Sequence, residues 1–213
     1  MNNTDISEII EPIIINSLKK LPEVYNHTTS LIFPKHRNVK RVSEQEARFL
    51  FLFELQKNLS EVNLCYSIET PTEKSYSFKT EPPQIIDDNR QNPGGVDVCL
   101  HHKETKKVCS LIEFKAHSCG PVRIGKDFLK LFFDKPDLQN YLVHTLKNVD
   151  SKTFINVEKK YSEALNYIKR YDGKYPKSSL KIFLYNINDG KEGSGGKIYE
   201  VKDDYTLAEI GKF

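Results

Sequence analysis

The chain has 213 residues, 38% of them hydrophobic and 29% charged, with a formal net charge of +3. That length suits one sizeable core with additions, and the composition is that of a soluble globule rather than a disordered, collagenous or membrane-spanning chain. The longest apolar run, residues 49–53, is far below the ~18 residues a membrane span needs. The start of the chain carries no basic region followed by an apolar segment, which predicts a cytoplasmic protein with no membrane association. Cys65, Cys99, Cys109 and Cys119 have no CxxC spacing, so free thiols are expected.

In chain order, Ile6, Ile9, Ile10, Ile13, Ile14 and Leu18 recur at helical spacing over residues 4–20 and are interrupted by Pro12, which predicts two short helices or one kinked helix. Residues 21–40, with Pro22 and Pro34, read as irregular connection with one short strand at 30–33. Residues 1–40 are therefore expected to form an N-terminal helical appendage packed on a domain spanning 41–213. Ser43 followed by Glu46 is a capping-box pattern, opening a helix whose apolar run at 49–53 predicts near-complete burial.

Residues 62–69 and 75–78 read as a strand and its hairpin partner, and 80–93 as a long polar loop of functional length. Two apolar runs, 96–100 and 108–114, then flank a polar turn and predict a strand pair. Segments 123–133, 138–149 and 157–171 read as helices, the last ended by Gly173. Residues 180–187 predict a strand, 188–196 a glycine-rich turn, 198–201 its partner strand, and 205–210 a closing helical turn. Strands and helices in this mixture predict an α/β or α+β domain with a central sheet.

Charge sits inside the two central runs. On a strand, Leu111, Glu113 and Lys115 share one side while Ile112 and Phe114 take the other. Asp97 lies between Val96 and Val98, which are expected to face the core. A charge in an otherwise apolar strand is costly without a purpose, so Asp97, Glu113 and Lys115 are candidate functional residues converging on one patch. Two carboxylates at close quarters repel, and a hard oxygen-seeking cation such as Mg²⁺ relieves that cost. Such an ion also activates water and offsets charge developing on a phosphate.

Asp97, the Glu113-x-Lys115 pair on the following strand, and a preceding helix bearing Glu44 and Glu46 together resemble the PD-(D/E)XK nuclease superfamily. The likeness covers roughly residues 41–187, with Val96 standing where the family name has proline. The resemblance implies a restriction-endonuclease-like fold, a central mixed β-sheet flanked by α-helices. It further implies a metal-dependent nuclease hydrolysing phosphodiester bonds, with DNA the expected polymer and Mg²⁺ (or Mn²⁺) the cofactor.

On that reading Asp97 and Glu113 hold the metal and Glu46, in preference to Glu44, completes the acidic set, although a capping box or the first helical turn explains either one without a metal. Glu69 is an outside candidate. Lys115 orients or deprotonates water, or neutralises a phosphoryl oxygen. His117, Arg123, Lys126 and Lys130 are candidate nucleic-acid contacts, the last three as a row on one helical face. Cutting both strands of a duplex would call for a homodimer. The alternative function is a non-catalytic nucleic-acid-binding or protein-interaction module on the same fold.

Overall fold

The computed structural model describes residues 3–27, 31, 33–59, 62–77, 82–86, 93–188 and 194–213. Its architecture is α/β: a mixed eight-stranded sheet flanked on both faces by four helices.

Helix α1 (Asn3–Asn26) runs unbroken through Pro12 and Pro22 and six residues beyond the expected end. An interior proline costs about 3 kcal/mol. Burial of Ile6, Ile10, Ile13, Ile14, Leu18 and Leu21, at about 1.5–3 kcal/mol for each side chain, offsets it. A two-residue hairpin follows, β1 (Lys35–His36) with β2 (Val39–Lys40). Of the strand expected at 30–33, residues 30 and 32 lie outside the described residues, and 31 and 33 are not in a strand.

Helix α2 (Glu44–Asn58) begins as its sequence dictates, with Ser43 as N-cap and a complete capping box to Glu46. Its burial is one-sided, contrary to expectation: Phe51 and Leu55 are buried, whereas Phe49 and Phe53 are about half exposed. The apolar run 49–53 wraps round the helix, and the sheet covers only one side of it.

Strand β3 (Leu64–Ser77) is a single long strand where a hairpin was expected. Its register against β5 (Pro93–His102) shifts between Pro71 and Ser75, and residues 75–77 then pair with the short strand β4 (Gln84–Ile86). The irregularity lets Pro71, which has no N–H to donate, lie within a strand. Strand β5 pairs antiparallel with β6 (Val108–Ala116), as expected.

Helix α3 (Pro121–Phe133) crosses to β7 (Gln139–Lys147), which lies parallel to β6. The helix expected over 138–149 is therefore a strand. Residues 140–146 are buried throughout: Tyr141 and Val143 face the α1/α2 side, Leu142 and Leu146 the opposite side. A strand covered on both faces has no polar alternation, so its sequence reads like a buried helix. Helix α4 (Ser151–Lys169), capped by Asp150, starts earlier than expected and leads to β8 (Ser179–Ile187), parallel to β7. Gly173, at φ +71°, lies in the turn beyond α4 rather than at its cap.

Strands β9 (Gly195–Val201) and β10 (Leu207–Lys212) complete one wing as an antiparallel meander, with a bulge between Glu209 and Gly211. The final segment is thus a strand, not a helical turn. The sheet order is β10-β9-β8-β7-β6-β5-β3-β4.

Two cores result. Helices α1 and α2 pack Ile10, Ile14, Phe51 and Leu55 on Val98, Ile112, Phe114 and Val143. Helices α3 and α4 pack Ile124, Phe128, Tyr161 and Leu165 on Leu111, Leu142 and Ile182. The N-terminal helix is part of the first core. No described helix is long and apolar enough to cross a membrane.

Candidate active site

The strands β5 and β6 part at Asp97. Their pairing runs as far as Val98 with Ile112 and then stops. Val96 and Val98 are both buried, as expected, but in different cores, so strict alternation is broken at the residue between them. In the fork so formed, Asp97 Oδ2 accepts the Phe114 backbone N–H at 2.7 Å, the bond a strand carbonyl would otherwise accept. Its other oxygen, Oδ1, lies 3.1 Å from Arg48 Nη1 of α2. The same Arg48 nitrogen donates to Glu69 Oε1, and Nη2 donates to Gln45.

Glu113, the neighbour of Phe114, is almost fully buried, and its Oε1 accepts from Lys130 Nζ of α3. Lys130 also donates to the Gly95 carbonyl at 2.8 Å and stands 3.1 Å from Asp127 Oδ1. Burial drives the Glu113 carboxyl well above its ordinary pKa; the Asp127 and Asp97 charges push the same way, and the Lys130 ammonium opposes them. Burial disfavours the Lys130 ammonium, but Asp127 and Glu113 outweigh it and hold the amine protonated.

Lys115 completes the ring. Its Nζ lies 3.0 Å from Asp127 Oδ2 and 3.5 Å from Glu44 Oε1, and donates to the Phe114 carbonyl at 3.3 Å. Burial again works against its charge, and Asp127, Glu44 and Glu113 together raise its pKa above the ordinary lysine value. Charges from α2, β5, β6 and α3 therefore alternate in sign around the end of the sheet where β5 begins and β6 finishes.

Asp97, Glu113 and Lys115 are brought to one locality. Glu46 is placed otherwise: its Oε2 accepts the Ser43 N–H at 2.7 Å and the Ser43 hydroxyl, so the cap occupies it, and Glu44 is the helical carboxylate beside Lys115. Lys130 does not belong to a surface row. Arg123, in the first turn of α3, is exposed, but by Lys130 the same helical face runs under Gly95 and against Glu113. Helical spacing identifies a face without revealing what covers it. Lys126 is half-buried.

His117 is exposed, and its backbone carries the contacts. It adopts φ +63°, and its carbonyl accepts from Cys119 N–H at 3.0 Å and His144 Nε2 at 2.6 Å. His144, fully buried on β7, also pairs through Nδ1 with Tyr161 Oη at 2.7 Å. Donation from Nε2 to a carbonyl fixes the neutral tautomer, with Nδ1 accepting from the tyrosine. Burial lowers the His144 pKa to about 4. This network fixes the turn that ends β6 two residues after Lys115.

Arg48, Asp127, Lys130 and His144 are the residues that sequence reasoning missed or misplaced. For Asp127 a signal existed: it falls between Ile124 and Leu131 on the apolar stripe of α3, a charge at a core position.

The oxygen-only donor set suits a hard divalent cation. Among the described residues, no three His, Cys, Asp or Glu side chains group as a ready metal cage. Mg²⁺ binds through one or two carboxylates and keeps several waters, so Asp97 and Glu113 are the side chains here that could hold such an ion, although each is engaged by groups of this chain. The raised Glu113 marks negative charge crowded at the site, while both Asp127 oxygens are met by lysines, Oδ1 by Lys130 and Oδ2 by Lys115.

Comparison with protein-family models, curated proteins and solved structures finds no match for this chain.

Proposed function

We propose that the chain is a metal-dependent nuclease of PD-(D/E)XK type, hydrolysing phosphodiester bonds in DNA on a restriction-endonuclease-like fold. The observation that carries this reading is that Asp97, bonded to the Phe114 N–H at the β5/β6 fork, lies near enough for its charge to act on the Glu113 carboxyl, with Lys115 on the same strand. The element order supports it: helix α2, three antiparallel strands β3, β5 and β6, helix α3, then β7 parallel to β6. In the superfamily that this resembles, the motif aspartate sits on the second core strand and the acid-x-lysine pair on the third.

Asp97 and Glu113 would hold Mg²⁺ or Mn²⁺, with Glu44 as the helical acid nearby. When bound, the ion would offset charge developing on the phosphate and lower the pKa of water. Lys115, held protonated by Asp127 and Glu44, suits orienting water or neutralising a phosphoryl oxygen rather than abstracting a proton. Lys130 holds the Glu113 carboxylate in place from beneath. One such site cuts one strand, so duplex cleavage takes two copies.

The test is cleavage of linear duplex DNA with and without Mg²⁺ by wild type and Asp97→Ala. Loss of Mg²⁺-dependent cutting in the variant is expected; equal cutting removes the assignment. A second reading, a non-catalytic nucleic-acid-binding or protein-interaction module, is favoured by one observation: Asp97, Glu113 and Asp127 each already face a cation of this chain. Mn²⁺ binding that disappears with Glu113→Ala supports the enzyme, and no binding to either protein supports the module.

A further inference from the structure

Of the three cations at the site, Lys130 is sealed in, while Arg48 and Lys115 stand nearer the rim. Arg48 meets Asp97 where the aspartate is 20% exposed, and the Glu69 that shares it is 62% exposed. The Arg48–Asp97 pair is thus partly buried yet within reach of solvent at its aspartate end. Asp97 Oδ2 is already committed to the Phe114 N–H, which leaves Oδ1 as the oxygen turned toward incoming ligands, and Arg48 is the group that meets it.

Arg48 has more than this one tether. Glu69 accepts from the same nitrogen and Gln45 from the other arm of the fork, so the side chain can give up Asp97 and stay at the site. Glu69 is carried there by a left-handed backbone conformation, φ +49°, at the point where β3 passes Asp97. A guanidinium released from a carboxylate but still held beside it presents planar N–H pairs that match phosphate oxygens.

We propose that Arg48 is a resident stand-in for the divalent ion at Asp97: it neutralises the aspartate in the metal-free protein, yields Oδ1 when the ion binds, and then takes a phosphate oxygen of the nucleic acid. This rests on the nuclease reading. Ion and phosphate binding are thereby coupled through one side chain that serves them in turn.

Calorimetric titration of the full chain with Mn²⁺, and binding of a labelled DNA duplex in Ca²⁺, test the inference on wild type, Arg48→Met, Arg48→Lys and Asp97→Asn. Removing a competing positive charge should tighten Mn²⁺ binding by about tenfold in Arg48→Met. The same variant should bind the duplex about tenfold more weakly in Ca²⁺, while Arg48→Lys keeps Mn²⁺ affinity near wild type and regains part of the DNA affinity. Asp97→Asn should lose Mn²⁺ binding. If wild type binds Mn²⁺ and Arg48→Met binds it equally or more weakly, the stand-in role is overturned and the nuclease reading survives. If neither wild type nor Arg48→Met binds Mn²⁺, both fall. If Arg48→Met does not fold, Arg48→Lys with unchanged DNA affinity overturns the phosphate role.

Discussion

Acidification should strip stability from this protein through one buried imidazole. His144 has an ordinary pKa of 6.5 and is lowered to about 4 by burial on β7, which outweighs the pull of the His117 carbonyl toward the charged form. As pH falls the unfolded chain takes up this proton first. The contribution is therefore whole above about pH 6.5, declines below it, and is lost as pH falls through about 4. Between about pH 7.5 and about pH 4.5 the difference amounts to about 2–3 kcal/mol, a large share of a typical domain's stability.

Urea unfolding at the two pH values, on wild type and His144→Gln, isolates this share, because other titrating groups cancel between the proteins. The glutamine amide can donate to the His117 carbonyl and accept from Tyr161 without titrating. Wild type should lose about 2–3 kcal/mol more than the variant. Equal losses, or a His144 imidazole titrating near 6.5 by NMR in the folded wild type, would refute the reasoning.

Glu113→Gln should stabilise the metal-free protein. A raised carboxyl pKa means stability that is present below the ordinary carboxyl range and lost as pH rises through the folded value, and the amide mimics the protonated form. A thermal midpoint about 2–4 °C higher at neutral pH is expected, equivalent to about 1 kcal/mol; a lower midpoint contradicts the excess of negative charge inferred at the site. Glu46→Ala should cost about 1 kcal/mol in urea unfolding through loss of its half of the capping box, with Mn²⁺ affinity unchanged. Glu44→Ala should do the reverse, and a calorimetric result with the two roles exchanged returns the helical acid to Glu46.

The parts of the fold legible in the sequence were those with one-sided chemistry. Ser43 and Glu46 marked the start of α2, and the apolar stripe of Val157, Tyr161, Ala164, Leu165 and Ile168 marked α4. Strand β7 was illegible for the opposite reason, since burial on both faces erases the alternation that distinguishes a strand. At the site, Asp97, Glu113 and Lys115 stood out as charges inside apolar strands. Arg48 did not, and Lys130 read as a surface contact for nucleic acid, because on a helix nothing local tells a solvated cation from one the fold turns inward. Glu46 shows the converse: a carboxylate in a promising position, already occupied by its own helix terminus.

The rims of the sheet bear on how two copies could cooperate on a duplex. Among the described residues β4 pairs only with Ser75–Ser77 of β3, while on the opposite rim β10 is bent by its bulge and carries Glu209 and Lys212, so the β10 rim offers no straight run of open backbone for a neighbouring molecule to zip onto. Extending the sheet into a second molecule is thereby disfavoured on the β10 side, and on the nuclease reading twofold partners meeting there would do so through helices and loops.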